Sequence, residues 1–221
     1  MRFAAVVAAA GRSLRFGGDK KEYRLLDGLP VLSHSVKLFL GMGDCAAVVV
    51  VVPAGGTEEA KAALGESLVS RAGPRLLFAD GGEQRSDSVK AGLLALRGVD
   101  PELVLVHDAA RPWASPALVR RVLAEAARCG ACVPGTPISD TVKRVGSGGA
   151  VVEHLSRSAL RAAQTPQGFQ YRGLLAAYLT AGASASGATD DAEVWAMAGG
   201  AVVVIDGERE NIKITFPQDL P

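Results

Sequence analysis

FAAVVAAAGRSLRFGGDKKEY, residues 3–23, decides the fold. Phe3 to Ala9 is a short apolar run of small and β-branched residues, and it reads as a strand buried on both faces of a parallel sheet. At Gly11 the chain turns polar. Arg12, Arg15, Lys20 and Lys21 then place four cations within ten residues. Gly11, Gly17 and Gly18 let the backbone bend and let an anion approach the amides. A buried strand running into a small cationic loop suits a polyphosphate. Backbone N–H groups cradle its oxygens, and long cationic side chains neutralise charge as it moves.

Outward from this stretch, strands and helices alternate. Asp27-Gly28 makes a turn and Pro30 starts a helix through Leu40. Ala46 to Val52 is a second apolar strand, and Thr57 is expected to cap a short polar helix. Arg75 to Ala79 is a third strand. It runs into Asp80-Gly81-Gly82-Glu83-Gln84-Arg85-Ser86-Asp87-Ser88-Val89, a second strand–glycine–helix junction. Leu103 to Val106 leads into His107-Asp108-Ala109-Ala110-Arg111-Pro112, with an Asp and an Arg where open α/β sheets bind ligands. Ser115-Pro116 opens a helix with Leu118, Val119, Val122, Leu123 and Ala126 at helical spacing.

Ala131 to Pro134 reads as a fifth strand. Val142–Val145 and Val151–His154, joined by Gly146-Ser-Gly-Gly149, read as a β-hairpin projecting from the main sheet. Arg157 to Gln164 is expected to be a short helix or turn, and Thr165–Phe169 to lead into a helix through Leu179. Thr189-Asp190-Asp191 caps a helix to Met197. Ala201–Ile205 and Asn211–Thr215 read as the last strands. The expected fold is α/β: a doubly wound, mostly parallel, Rossmann-like sheet with a hairpin arm. One domain over residues 1–221, with the arm at about 139–156, is expected from this length.

Composition narrows the function. The net charge is +1, so the cations act by placement, and no general attraction to nucleic acid or membrane is expected. No apolar run approaches the ~20 residues of a membrane span. Arg2 followed by an apolar run has the outline of a secretory signal, but a strand plus loop also explains the cations behind it. Cys45, Cys129 and Cys132 form no disulfide framework, and Cys129-Gly-Ala-Cys132 straddles a helix end with no second ligand pair for zinc. The expected location is cytoplasmic. The P-loop pattern and a G-x-G-x-x-G after the first strand are both missing, and no Ser/His/Asp grouping has supporting context. His34, His107 and His154 read as packing or surface residues.

Several motifs occur together and in order. They are Ala9-Ala10-Gly11…Arg15…Lys21-Glu-Tyr23, Gly81-Gly82-x-x-Arg85-x-x-Ser88-Val89, Val106-His-Asp-Ala-Ala-Arg-Pro112, Asp140-Thr-Val-Lys143, Thr165-Pro-Gln167, Thr189-Asp190 and Asn211-Ile-Lys-Ile-Thr215. The combination resembles the 2-C-methyl-D-erythritol 4-phosphate cytidylyltransferase family of non-mevalonate isoprenoid biosynthesis. The resemblance implies transfer of a cytidylyl group from CTP to methylerythritol phosphate, with release of pyrophosphate, Mg²⁺ dependence, and a homodimer whose hairpin arms embrace and help build each other's sites.

It further implies that Arg15 and Lys21 grip the CTP phosphates and that Arg157 and Lys213 aim the nucleophilic phosphate. Ala9, Ala10, Gly11, Gly82, Glu83, Arg85 and Ser88 would hold CTP. Asp108, Ala109, Arg111, Thr141, Thr165 and Thr189 would contact the acceptor, with Asp108 placed for a hydroxyl or the metal's water shell. The direct metal ligands are unassigned. Ser13 stands where the family has a second glycine, and Lys20-Lys21-Glu22 replaces Pro-Lys-Gln. Either Lys20 or Lys21 fills the lysine position; Lys21, directly before Glu22-Tyr23, aligns better. Two alternatives are a cytidylyltransferase for another polyol phosphate, such as ribitol 5-phosphate, and a non-catalytic nucleotide-binding module.

Overall fold

The structure is a computed structural model that describes residues 2–11, 13, 16, 17 and 20–220. In chain order, β1 (Phe3–Ala8) is followed by a 3₁₀ turn at Lys21–Tyr23, then by a small ribbon of β2 (Leu25–Leu26) and β3 (Leu29–Pro30). Asp27 and Gly28 sit between them at φ 51° and 76°, the left-handed pair that a two-residue hairpin turn requires. α1 (Val31–Leu40), β4 (Cys45–Val52), α2 (Thr57–Leu64) and α3 (Glu66–Ala72) follow. Then come β5 (Leu76–Asp80), α4 (Arg85–Ala95), β6 (Leu103–Asp108), α5 (Pro116–Cys129) and β7 (Ala131–Pro137). The arm is β8 (Lys143–Val145) with β9 (Val151–His154). The chain continues as β10 (Arg161–Ala163), β11 (Gln167–Gln170), α6 (Tyr171–Ala181), α7 (Asp191–Met197) and β12 (Val203–Asp206).

The main sheet runs β10-β7-β11-β6-β1-β4-β5, and β12 pairs with β7. β6, β1, β4 and β5 are mutually parallel, as the alternation of strands and helices predicts. The two-residue period of the strands sorts side chains onto two faces. Phe3, Ala5 and Val7, with Val48, Val50 and Val52, pack under α1, α2 and α5. Ala4 and Val6, with Val49 and Val51, pack under α4, α6 and α7. Each Val or Leu buried this way contributes about 1.5–3 kcal/mol. Gly92 lets α4 come close: a Cβ there would lie 2.5 Å from Val6 Cγ1 and 2.9 Å from Val51 Cγ2.

Four expectations change. Gly56, not Thr57, occupies the cap position of α2, and Thr57 is its first residue. Residues 161–163, expected as part of a helix or turn, form β10 and pair antiparallel with the end of β7. Gln167–Gln170, expected to lead into a helix, is β11, inserted antiparallel between β6 and β7. A glycine and two glutamines give it little strand propensity; two open strand edges supply the pairing instead. Asn211–Thr215 is not a strand. Its polar backbone groups go to Ala110, Arg111, Gln164 and Lys21, so it is stitched across the sheet's end rather than laddered to a neighbour.

Candidate active site

The sheet reverses its direction of growth at β1, with β4 and β5 on one side and β6 on the other. Ligands of open α/β sheets bind at the C-terminal strand ends beside such a reversal. Register places Ala8 of β1 against Asp108 of β6 at that end. A cavity of about 330 Å³ opens there. Its wall includes Ala8, Ala10, Gly11, Ser13, Lys21, Glu22, Gly82, Glu83, Gln84, Arg85, Ser88, Asp108, Ala110, Lys213 and Thr215. Gly81 and Gly82 bring the backbone in closely. A Cβ on Gly81 would stand 2.6 Å from Ala10 Cβ, and one on Gly82 would stand 2.4 Å from Asp87 Cβ.

Asp108 is the electrostatic centre. Lys213 Nζ lies 2.7 Å from its Oδ2, Arg85 Nη2 3.7 Å from its Oδ1, and Arg111 Nε 3.9 Å from Oδ2. Burial alone would raise the pKa of this carboxyl. Lys213, Arg85 and Arg111 outweigh burial and hold it well below the usual carboxylate range. The wall therefore carries a permanent carboxylate with an excess of cations around it.

Also on the wall, Lys21 is buried and its Nζ donates to the Ile214 carbonyl at 2.8 Å. Its neighbour Glu22 is buried too, and burial pushes its pKa up. Ser13 Oγ donates to Glu22 Oε2 at 3.1 Å. Ser13 adopts φ 48°, the left-handed conformation that the family's glycine would take without strain.

Beneath the cavity, a hydrogen-bonded chain fixes the end of β6. The Asp108 N–H donates to Thr165 Oγ1 at 3.0 Å, and Thr165 Oγ1 meets His107 Nδ1 at 3.1 Å. His107 Nε2 lies 3.0 Å from the Arg111 carbonyl, so Nε2 carries the proton and Nδ1 accepts from the threonine hydroxyl. His107 is wholly buried, and burial pushes its pKa down from 6.5 to about 4.

That shift has a measurable consequence. The unfolded chain binds a proton on this imidazole between pH 6.5 and 4, and the folded chain does not. Its stabilisation is complete above about pH 6.5 and is lost as the pH falls to about 4, a difference of about 3 kcal/mol. Urea unfolding of the wild type and of His107→Gln at pH 7 and 4.5 checks this. The variant is expected to be less stable at pH 7 but to lose about 2–3 kcal/mol less on acidification. Parallel losses in the two proteins would contradict it.

The residues singled out in the sequence are distributed unevenly. Ala10, Gly11, Lys21, Gly82, Glu83, Arg85, Ser88, Asp108 and Lys213 share the cavity wall. Lys20 is not on it. Ala9 and Ala109 lie just behind, buried, with their N–H groups donating to Val51 and Ala8. Thr165 and Arg111 act through Asp108, as described. Thr189 donates its N–H and hydroxyl to Glu193 Oε2 and is not on the wall. Thr141 and Arg157 are exposed at the arm, and Arg157 Nη1 donates to the Ser139 carbonyl. The expected convergence therefore holds for Lys21 and Lys213. It does not hold for Arg157 within one chain, because Arg157 follows β9 and leaves with the arm. Arg15 lies outside the described residues, as do Arg12 and Gly18. Ala8, Ser13, Glu22, Gln84, Ala110 and Thr215 complete the wall; Ala110 and Thr215 stand inside the quoted motifs, but the sequence assigned none of the six a binding role.

Residues 3–221 match the family described as IspD, 2-C-methyl-D-erythritol 4-phosphate cytidylyltransferase. A 2-C-methyl-D-erythritol 4-phosphate cytidylyltransferase from Pelotomaculum thermopropionicum is 43% identical over 222 residues, covering 99% of this chain and 91% of the relative. The Bifunctional enzyme IspD/IspF from Rhodospirillum rubrum is 41% identical over 221 residues; the match takes 99% of this chain and 55% of that protein, so the chain spans about half of the bifunctional relative. The crystal structure of 2-C-methyl-D-erythritol 4-phosphate cytidylyltransferase from Thermus thermophilus is 34% identical, with a TM-score of 0.77, covering 97% of this chain and 94% of that one. With the family profile matched from the first strand to the last described residues, and the fold shared, the chain belongs to the 2-C-methyl-D-erythritol 4-phosphate cytidylyltransferase family.

Proposed function

We propose that the Asp108 cavity carries out the family's reaction: CTP and 2-C-methyl-D-erythritol 4-phosphate give the CDP-alcohol and pyrophosphate, a step of non-mevalonate isoprenoid biosynthesis. The observation that carries this reading is the presence of Lys21 and Lys213 on one wall with an ionised Asp108. A phosphate oxygen of the acceptor attacks the α-phosphorus of CTP in line, and pyrophosphate leaves. Both reactants are polyanions, so repulsion is the first obstacle. A single cation 4 Å from a phosphate charge offsets about 4 kcal/mol at an effective dielectric of about 20.

Lys21 grips the CTP phosphates and stabilises the charge that builds on them, together with Arg15. Lys213 aims the attacking phosphate. That phosphate is already anionic, so no general base is needed. The Gly81-Gly82 backbone, Glu83 and Ser88 form the shelf for cytosine and ribose. Arg111 offers a further contact: its Nε is buried beside Asp108 with no hydrogen-bond partner among the described residues. Among those residues no group of three or more His, Cys, Asp or Glu could hold a metal alone. Mg²⁺ needs only one or two carboxylates when phosphates complete its shell, and Asp108 fits that part. The chemistry Mg²⁺ supplies when bound is neutralisation of triphosphate charge.

Arg157 and Thr141 act across a homodimer. Supporting this, the arm exposes Val145, Val151 and Val152 at 57%, 50% and 61%, and a lone two-stranded hairpin has little stability of its own. No helix among the described residues is long and apolar enough to cross a membrane, and the three cysteines are unpaired. We place the protein in the cytoplasm on that basis.

Turnover of CTP with methylerythritol phosphate and with ribitol 5-phosphate, followed by pyrophosphate release, tests the reading. The expected result is a clear preference for methylerythritol phosphate. Preference for ribitol phosphate, or no release with either, would overturn it.

A further inference from the structure

Arg85 is shared between two carboxylates that belong to different parts of the molecule. Its Nη2 lies 2.8 Å from Oδ2 of Asp191 and 3.7 Å from Oδ1 of Asp108. Asp108 is on the cavity wall. Asp191 is not: it opens α7, which packs against α6, and is 0% exposed. Its other oxygen accepts from the Tyr178 hydroxyl at 2.6 Å. Tyr178 is itself buried in α6, and burial, with Asp191 beside it, pushes its pKa up, so it stays a donor. Asp191 makes no contact with the cavity.

A carboxylate taken wholly out of water costs several kcal/mol unless it is paired and hydrogen-bonded. Apolar side chains of similar size would hold α4 to α6 and α7 as well or better. What they could not do is fix a guanidinium at the cavity wall. Arg85 has a planar fork able to grip a carboxylate with two bonds. Without a competitor it would close the 3.7 Å gap to Oδ1 of Asp108, whose other oxygen, Oδ2, is paired with Lys213 at 2.7 Å. Asp191 holds the fork back, and Oδ1 of Asp108 is kept out of a direct bond with Arg85.

We propose that Asp191 is a positioning residue for cytidylyl transfer: through the Tyr178–Asp191–Arg85 chain it keeps Arg85 at arm's length from Asp108, so that Oδ1 stays out of a direct bond with Arg85 while Oδ2 holds the Lys213 that aims the acceptor phosphate. This rests on the reaction proposed above. The sequence carried a trace of it. Asp191 stands three residues before Val194, which is fully buried, so the helical period places a carboxylate on the inward face of α7.

The test compares the wild type, Asp191→Asn, Arg85→Gln and the double variant, with kcat, KM for CTP and thermal melting recorded for each. Asp191→Asn is expected to lower kcat by about 10-fold or more while KM for CTP stays within about threefold, the pattern of a misplaced reacting group. In the Arg85→Gln background the same change is expected to cost nothing further, since Asp191 acts through Arg85. A kcat within threefold of wild type, or losses that multiply in the double variant, would overturn the proposal. Should Asp191→Asn fail to fold, Tyr178→Phe keeps the ring and removes only the hydroxyl. It is expected to lower kcat about threefold, and only where Arg85 is present; an unchanged kcat overturns the proposal. Wild-type activity separates the two readings: no turnover by the wild type refutes the reaction and this inference with it, whereas normal wild-type turnover with an unaffected Asp191→Asn refutes only the inference.

Discussion

Lys213→Ala is expected to lower kcat/KM by at least ~10²-fold, the scale of losing one donor aimed at developing charge. Two effects coincide at this residue. Its ammonium is removed from the acceptor phosphate. Its partner Asp108, 2.7 Å away, is left a carboxylate facing an incoming anion, with Arg85 and Arg111 at 3.7 and 3.9 Å. Those two guanidinium groups keep Asp108 ionised after the substitution, so the carboxylate then repels the substrate it formerly helped to place. Stability should change little, because Lys213 is 37% exposed and its pairing is partly screened. Steady-state kinetics with a melting curve checks both halves. Activity within threefold of wild type would remove Lys213 from the reaction.

The second large effect is expected at Lys21. Lys21→Ala should cost at least ~10²-fold in kcat, while Lys20→Ala, off the cavity wall, should stay within threefold. Unlike Lys213, Lys21 is buried, and its Nζ bonds the Ile214 carbonyl at 2.8 Å. That bond ties the entry loop to the segment carrying Lys213. Its loss leaves a buried carbonyl unpaired, so Lys21→Ala should also lower stability by about 1–3 kcal/mol. Chemical denaturation separates this from the catalytic loss, because a folded variant at low denaturant still lacks the cation. If Lys20→Ala proves the inactive variant, the loop's alignment to the family moves by one residue.

The fold was legible wherever it depended on local pattern. The apolar runs at Phe3–Ala9 and Ala46–Val52 read as buried strands and are β1 and β4 to within a residue, and Ser115-Pro116 marked the start of α5; in the structure Ser115 Oγ accepts from the Leu118 N–H at 3.0 Å. What failed was set by distant partners. β11 is a strand because β6 and β7 offer edges to it, not because of Gln167-Gly168-Phe169-Gln170 itself. Residues 211–215 have a strand-like composition but bond to side chains and to Ala110.

The site shows the same division. Lys21, Gly82, Ser88, Asp108 and Lys213 sit in recognisable motifs at strand ends and meet as those motifs suggest. Arg157 belongs to the arm and lies off the cavity wall, a separation that no local pattern in the sequence shows. Asp191 read as one more acidic residue at a helix start, since nothing local shows that Arg85, 106 positions away in sequence, turns toward it.

The most direct test of the account is a crystal structure of the protein with CTP and Mg²⁺. The account expects the triphosphate in the Asp108 cavity, with Lys21 Nζ on a phosphate oxygen and the cytosine against the Gly81-Gly82 backbone and Ser88. CTP bound elsewhere on the molecule, with Lys21 and Lys213 untouched, would contradict it.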